Sequence, residues 1–140
     1  MRAFCCAVLL AGLVACDDAP QALPQPLDGK WAVDSTSPAS TGLLRTMTLV
    51  QHGSTVSGSG TGMGVDVPIP FDITGSYHPD PMDGPALVEL RIQRVDGGRV
   101  TADFQGTLAP DRLTGSVVYR YYYGVSSVDS VTGTLSFKRP

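Results

Sequence analysis

The side chains here with a claim to chemistry are two histidines, one glutamate, a tyrosine cluster and three cysteines. His52 stands beside Gly53 and His78 before Pro79, settings that make a histidine a solvated turn residue rather than a base or ligand held in a pocket. Glu89 is the only glutamate, and no pair of carboxylates stands out for glycoside chemistry. No Gly-x-Ser-x-Gly elbow presents a serine nucleophile. Asp80-Pro81-Met82-Asp83-Gly84 imitates the start of a calcium loop, yet it lacks alternating oxygen ligands and a closing glutamate, so it reads as a turn. Gly58-Ser59-Gly60-Thr61-Gly62-Met63-Gly64 has the glycine density of a phosphate loop, but no helix follows to aim its N-terminus at an anion. The expectation is a non-enzyme without metal or cofactor. Tyr119-Arg120-Tyr121-Tyr122-Tyr123 is the one constellation with a constructive reading. On a strand, Tyr119, Tyr121 and Tyr123 share the inner face, while Arg120 and Tyr122 face outward. The inner set either fills a core end with its hydroxyls in water or lines a ligand mouth. The outer pair suits a protein-contact patch.

The cysteines concern placement. Met1-Arg2 carries one positive charge, and Ala3 to Val14 is an apolar run of about a dozen residues, shorter than the roughly 20 a spanning helix needs. Such a run is the hydrophobic stretch of a signal segment. It ends in Leu13-Val14-Ala15-Cys16, followed by Asp17-Asp18. That ending resembles the lipobox of bacterial lipoproteins. The resemblance implies that residues 1–15 are removed and that Cys16 becomes the first mature residue. Its sulfur would carry a diacylglycerol and its amine an acyl chain, which together anchor stably where one chain does not. The alternatives are an ordinary secretory signal with a cysteine near its cut, or a short buried core segment. Because Cys5 and Cys6 leave with the signal, the mature chain can form no intrachain disulfide and no zinc site built on cysteine pairs. Residues 16–27 follow as lipidated cysteine and tether. Pro20, Pro24 and Pro26 favour extended geometry, and some ten residues at about 3.1 Å each lift the domain about 30 Å from the bilayer. The implied location is the bacterial cell envelope, lipid-anchored, with the domain in the periplasm. Acidic Asp17 and Asp18 resemble an inner-membrane retention signal, a rule that varies between lineages and leaves the choice of membrane open.

Residues 28–140 must position the tyrosines, and they read as strands. The 140-residue chain is 42% hydrophobic and 16% charged, with 16 Gly, 11 Pro and a net charge of −3. That is too apolar for disorder, too rich in Gly and Pro for a helical bundle, and not basic enough for a nucleic-acid partner. Past Cys16 the lysines and glutamates are Lys30, Glu89 and Lys138 alone, a poor supply for surface helices. Period-two alternation is strong in Val65–Tyr77, Val88–Ile92, Leu113–Tyr123 and Val131–Phe137. Turn signals fall at Asp28-Gly29, His52-Gly53, Asp83-Gly84-Pro85, Asp96-Gly97-Gly98 and Pro110-Asp111. They divide the domain into eight strands at 30–36, 43–51, 54–61, 67–77, 86–95, 99–108, 112–123 and 128–138. Loops this short join antiparallel neighbours, and an eight-stranded meander hides its edges by closing on itself.

A repeated unit of apolar-x-Gly-Ser/Thr points the same way. It occurs at Val56–Ser59, Ile73–Ser76, Phe104–Thr107, Leu113–Ser116 and Val131–Thr134, each time with glycine on the apolar face. Inner glycines let strands coil tightly, as a small barrel requires. Pro68 and Pro70 each remove a ladder donor, so pairing there must begin near Phe71 or the wall must bulge or open. A β-sandwich is the alternative fold, without the Cys…Trp…Cys frame of immunoglobulin domains.

Gly29-Lys30-Trp31, at the start of the first strand, resembles the opening of the calycin group: lipocalins, fatty-acid-binding proteins and avidins. That likeness implies an all-β, up-and-down antiparallel barrel with Trp31 plugging one end. Trp31 is the only tryptophan, whereas avidin-type biotin sites use several, so biotin is not the expected ligand. Two functions follow. In one, the barrel binds a small apolar or amphipathic molecule, with Phe71, Ile73, Leu90, Phe104, Tyr119 and Tyr121 as inner-face ligand residues. In the other, the barrel is solid and its surface engages an envelope protein, as an assembly partner or a periplasmic inhibitor.

Overall fold

The computed structural model describes residues 26–35, 44–63, 67–123 and 127–140, with no helix among them. The strands are β1 (Gly29–Val33), β2 (Leu44–His52), β3 (Thr55–Met63), β4 (Pro68–His78), β5 (Ala86–Arg94), β6 (Val100–Leu108), β7 (Arg112–Tyr123) and β8 (Ser127–Lys138). They follow one another around a closed barrel in chain order. Every neighbouring pair is antiparallel, including the β1–β8 pair that closes the ring. The expected meander is present, and the sandwich alternative is not.

Alternation places one face of each strand in a common core. Met47, Leu49, Val56, Ile73, Val88, Leu90, Ile92, Phe104, Leu113, Val117, Leu135 and Phe137 are all buried in it. Phe104 and Phe137 meet edge to face, with centroids 5.7 Å apart. Inner glycines set how closely the wall coils. A Cβ on Gly75 would lie 2.0 Å from the Glu89 carbonyl oxygen, and one on Gly115 would lie 2.1 Å from that of Gln105. No real side chain tolerates such contacts, so strand spacing at these points depends on glycine.

Pro68 and Pro70 fit because β4 is paired unevenly. Its ladder with β3 starts at Pro68, but its ladder with β5 starts at Phe71. The Pro70 carbonyl accepts from Val95 N at 3.2 Å, so the donor missing at Pro70 faces the side where β5 has ended. The expected start of pairing near Phe71 is therefore met on one flank only.

One end of the barrel, here the lower, carries the β2–β3, β4–β5 and β6–β7 turns together with Leu27 and Arg139. Trp31, 1% exposed, closes it. Its indole Nε1 donates to the Leu27 carbonyl at 3.0 Å, and Leu27 N donates to Gln51 Oε1 at 3.2 Å. The Arg139 guanidinium lies 4.3 Å from the Trp31 ring centroid and donates to the Asp28 and Pro26 carbonyls. Nearby, β1 joins β8 at Ala32↔Lys138 and Val33↔Phe137. Asp34 extends that seam instead of continuing the strand to residue 36 as expected. Its N–H donates to the Ser136 carbonyl at 2.8 Å, and its buried carboxylate accepts from Arg112 Nη1 at 2.7 Å.

Candidate functional site

The upper end differs from the lower in what it exposes. Met63, Val67, Val95, Tyr123, Val128 and Val131 are all solvent-exposed there, and they make up most of the large exposed apolar side chains among the described residues. A concentration of this kind marks a contact surface more than scattered apolar residues do. Val131 is the informative one. It shares the inner face with buried Leu135 and Phe137, yet it is 56% exposed. Among the described residues β1 pairs with β8 only at Ala32↔Lys138 and Val33↔Phe137, and the upper part of β8, Val128 to Thr132, is exposed to solvent.

Beside this exposed stretch the inner face presents Tyr119 and Tyr121 from β7. Tyr119 pairs with Ala102 and Val131, and Tyr121 pairs with Val100 and Asp129. Short Ala102 leaves the space that the larger ring occupies. Tyr119 is 5% exposed, and its hydroxyl is buried without a hydrogen-bond partner. Burial, and secondarily the neighbouring Tyr121, pushes its pKa up to about 12, so it is a neutral hydroxyl across the physiological range. Tyr121 is half-buried against the core, whereas Tyr123, expected to face inward, reaches the rim and is exposed.

All six sequence-predicted ligand residues occupy the inner face. Phe71, Ile73, Leu90 and Phe104 belong to the packed core, with Tyr119 and Tyr121 beside the exposed stretch of β8. Cys16, the predicted lipidation site, lies outside the described residues, as does all the chain before Pro26.

Sequence reasoning missed a charged pair at the rim. Arg94 extends the Val88-Leu90-Ile92 alternation by one step, so it falls on the inner-face register opposite Phe71. Its guanidinium turns onto Asp96 in the β5–β6 turn. Nε donates to Oδ1 at 2.8 Å and Nη2 to Oδ2, a two-pronged ion pair, while Gly98 N also donates to Asp96 Oδ1 at 3.0 Å. The Arg94 hydrogen bond, aided by the Gly98 N–H, holds the Asp96 carboxyl below the usual carboxylate range. The signal was available: an Arg at the next alternate position, with an Asp two residues on.

Elsewhere the chemistry is quieter. His78 Nε2 lies 2.9 Å from Ser76 Oγ, and that same oxygen donates to Glu89 Oε2 at 3.3 Å. A nucleophilic triad needs the carboxylate on the far ring nitrogen, where it fixes the tautomer; here Glu89 sits on the near side, 3.9 Å from Nε2, and both side chains are about half exposed. Asp80 Oδ1 accepts from Met82 N at 2.8 Å, the local turn expected of that segment. No metal-binding cluster of His, Cys, Asp or Glu occurs among the described residues. On the outer wall, β4 to β7 form an open groove of about 410 Å³ lined by Thr74, Ser76, Glu89, Arg91, Asp103 and Gln105. Arg120, expected in a protein-contact patch, is tied to Asp103 at its edge. Compared with protein-family models, curated proteins and solved structures, the chain matches none.

Proposed function

We propose that this chain is a lipid-anchored, non-catalytic protein of the bacterial cell envelope whose lipocalin-like barrel binds a small amphipathic molecule at its upper mouth. The reading of Leu13-Val14-Ala15-Cys16 as a lipobox supplies the anchor and the envelope location. One observation supports the binding reading above the rest: a hydroxyl on Tyr119 that is buried without a partner, on the residue paired across the strands with solvent-exposed Val131. An unsatisfied buried polar group costs about 1–3 kcal/mol, and a ligand atom is the simplest means of recovering that cost. The ligand's apolar part would lie against Tyr121 and Val131, with Phe71, Ile73, Leu90 and Phe104 as the wall and floor below.

A protein engaged by its ligand is stabilised by mass action. Barrel extracted natively should therefore melt higher than the same protein unfolded in denaturant, stripped of small molecules and refolded. Adding back a solvent extract of the envelope should restore the difference. Equal melting temperatures in all three samples would contradict the reading. The second reading, a solid barrel that engages an envelope protein, draws its support from the packed lower core and the groove on the outer wall of β4 to β7.

A further inference from the structure

The charges around the mouth go further than its shape, because they select among head groups. Among the described residues, Arg94 is the cation that falls on the inner-face strand register, and both prongs of its guanidinium are taken by Asp96. Arg94 is held there by packing as well: a Cβ on Gly98 would sit 2.2 Å from its Nε, so the turn backbone lies close against the side chain. The other acidic group on the inner register at this level is Asp129, opposite Tyr121 and exposed. An anionic head entering the mouth would therefore pass one carboxylate, find the guanidinium on the inner register already neutralised by another, with Arg99 of the same turn exposed at the rim outside that register, and arrive at a site whose polar group is a neutral phenol. Burying a charge without a partner costs far more than burying a hydrogen-bonded neutral group.

We infer, resting on the binding reading above, that the ligand is a neutral amphiphile: its head is an uncharged oxygen group such as an alcohol, ester or amide, hydrogen-bonded to the Tyr119 hydroxyl. The hydroxyl can donate to a carbonyl or exchange hydrogen bonds with an alcohol. The Arg94–Asp96 pair acts as the selectivity element, since it keeps the guanidinium on the inner-face register away from carboxylate ligands. An alkyl tail follows the head only as far as Tyr121, Val131 and the exposed apolar rim, because the core below is already filled.

The test is an amide-resolved NMR titration of the full chain with three ten-carbon probes at neutral pH: 1-decanol, decanoate and decylammonium. Decanol should bind at least tenfold more tightly than either ion and shift the Ala102, Tyr119, Tyr121 and Val131 amides. Tyr119→Phe, which preserves volume, should weaken decanol about 2- to 12-fold, the range for one lost neutral hydrogen bond, and leave the ions unaffected. Asp96→Ala should release Arg94 and move the preference at least tenfold toward decanoate. Tighter binding of decanoate or decylammonium to the unaltered chain would overturn the neutral-head inference while leaving a binding mouth in place. Absence of binding by all three would remove the mouth itself, and the inference with it.

Discussion

Tyr119 concentrates the residue-scale argument. Without ligand its hydroxyl is buried and unpaired, so Tyr119→Phe should leave the empty barrel as stable as before or up to about 1 kcal/mol more stable in urea unfolding. A second consequence concerns alkaline pH. In the unfolded chain the phenol titrates near its ordinary 10.0, whereas in the fold burial raises it to about 12. The unfolded state thus loses its proton first. Stability associated with this group is intact below pH 10, falls between pH 10 and 12, and levels off above, by up to about 3 kcal/mol. Tyr119→Phe should flatten that part of the pH profile, and an unchanged slope would show that the ring is not buried as described. Leu90 gives the contrasting case. It is 2% exposed inside the packed core, so Leu90→Ala should cost about 2–5 kcal/mol. The inner-face identity of both residues was legible from alternation alone. That Leu90 is tightly packed while Tyr119 carries an orphaned hydroxyl was not, because it depends on what fills the space across the barrel.

Among the elements, strand number and order follow closely from turn chemistry. Gly53 and Gly97 adopt positive φ at the predicted turns, Gly53 in the two-residue β2–β3 reversal and Gly97 in the longer β5–β6 connection. The repeated inner glycines of the sequence mark sites of close strand approach. Gly115→Ala would drive a methyl group toward Gln105 O and the Gly106 Cα, so β6 and β7 must separate; a loss of about 1–3 kcal/mol and faster amide exchange along those two strands is the expected result. The seam was not legible. Asp34 and Arg112 lie 78 residues apart, and nothing local in either segment announces the pairing. Asp34→Asn keeps the shape but removes the charge facing Arg112, whose side chain is about half exposed. A loss of about 1–2 kcal/mol is therefore expected, with exchange rising first in β1 and the lower end of β8.

For the molecule as a whole, the proposed anchor and the proposed mouth would lie at opposite ends. The chain enters the barrel at Pro26 and Leu27, where Arg139 and Trp31 hold it, while the mouth lies across the barrel. A tether from Cys16 would thus present the mouth away from the membrane that holds the anchor, toward ligand arriving through water. Cys16→Ser should abolish both acylation and signal removal, and mass spectrometry of the membrane fraction should find a diacylglyceryl, N-acylated Cys16 in the unaltered protein only. An unmodified mature N-terminus there would end the lipoprotein reading. The claim on which most rests is that the mouth holds a small molecule, and native mass spectrometry of protein extracted from its own envelope tests it most directly. The account predicts a discrete, non-covalent adduct of small-molecule mass on the barrel, reduced in occupancy by Tyr119→Phe. A barrel that flies without adduct in both forms would contradict it.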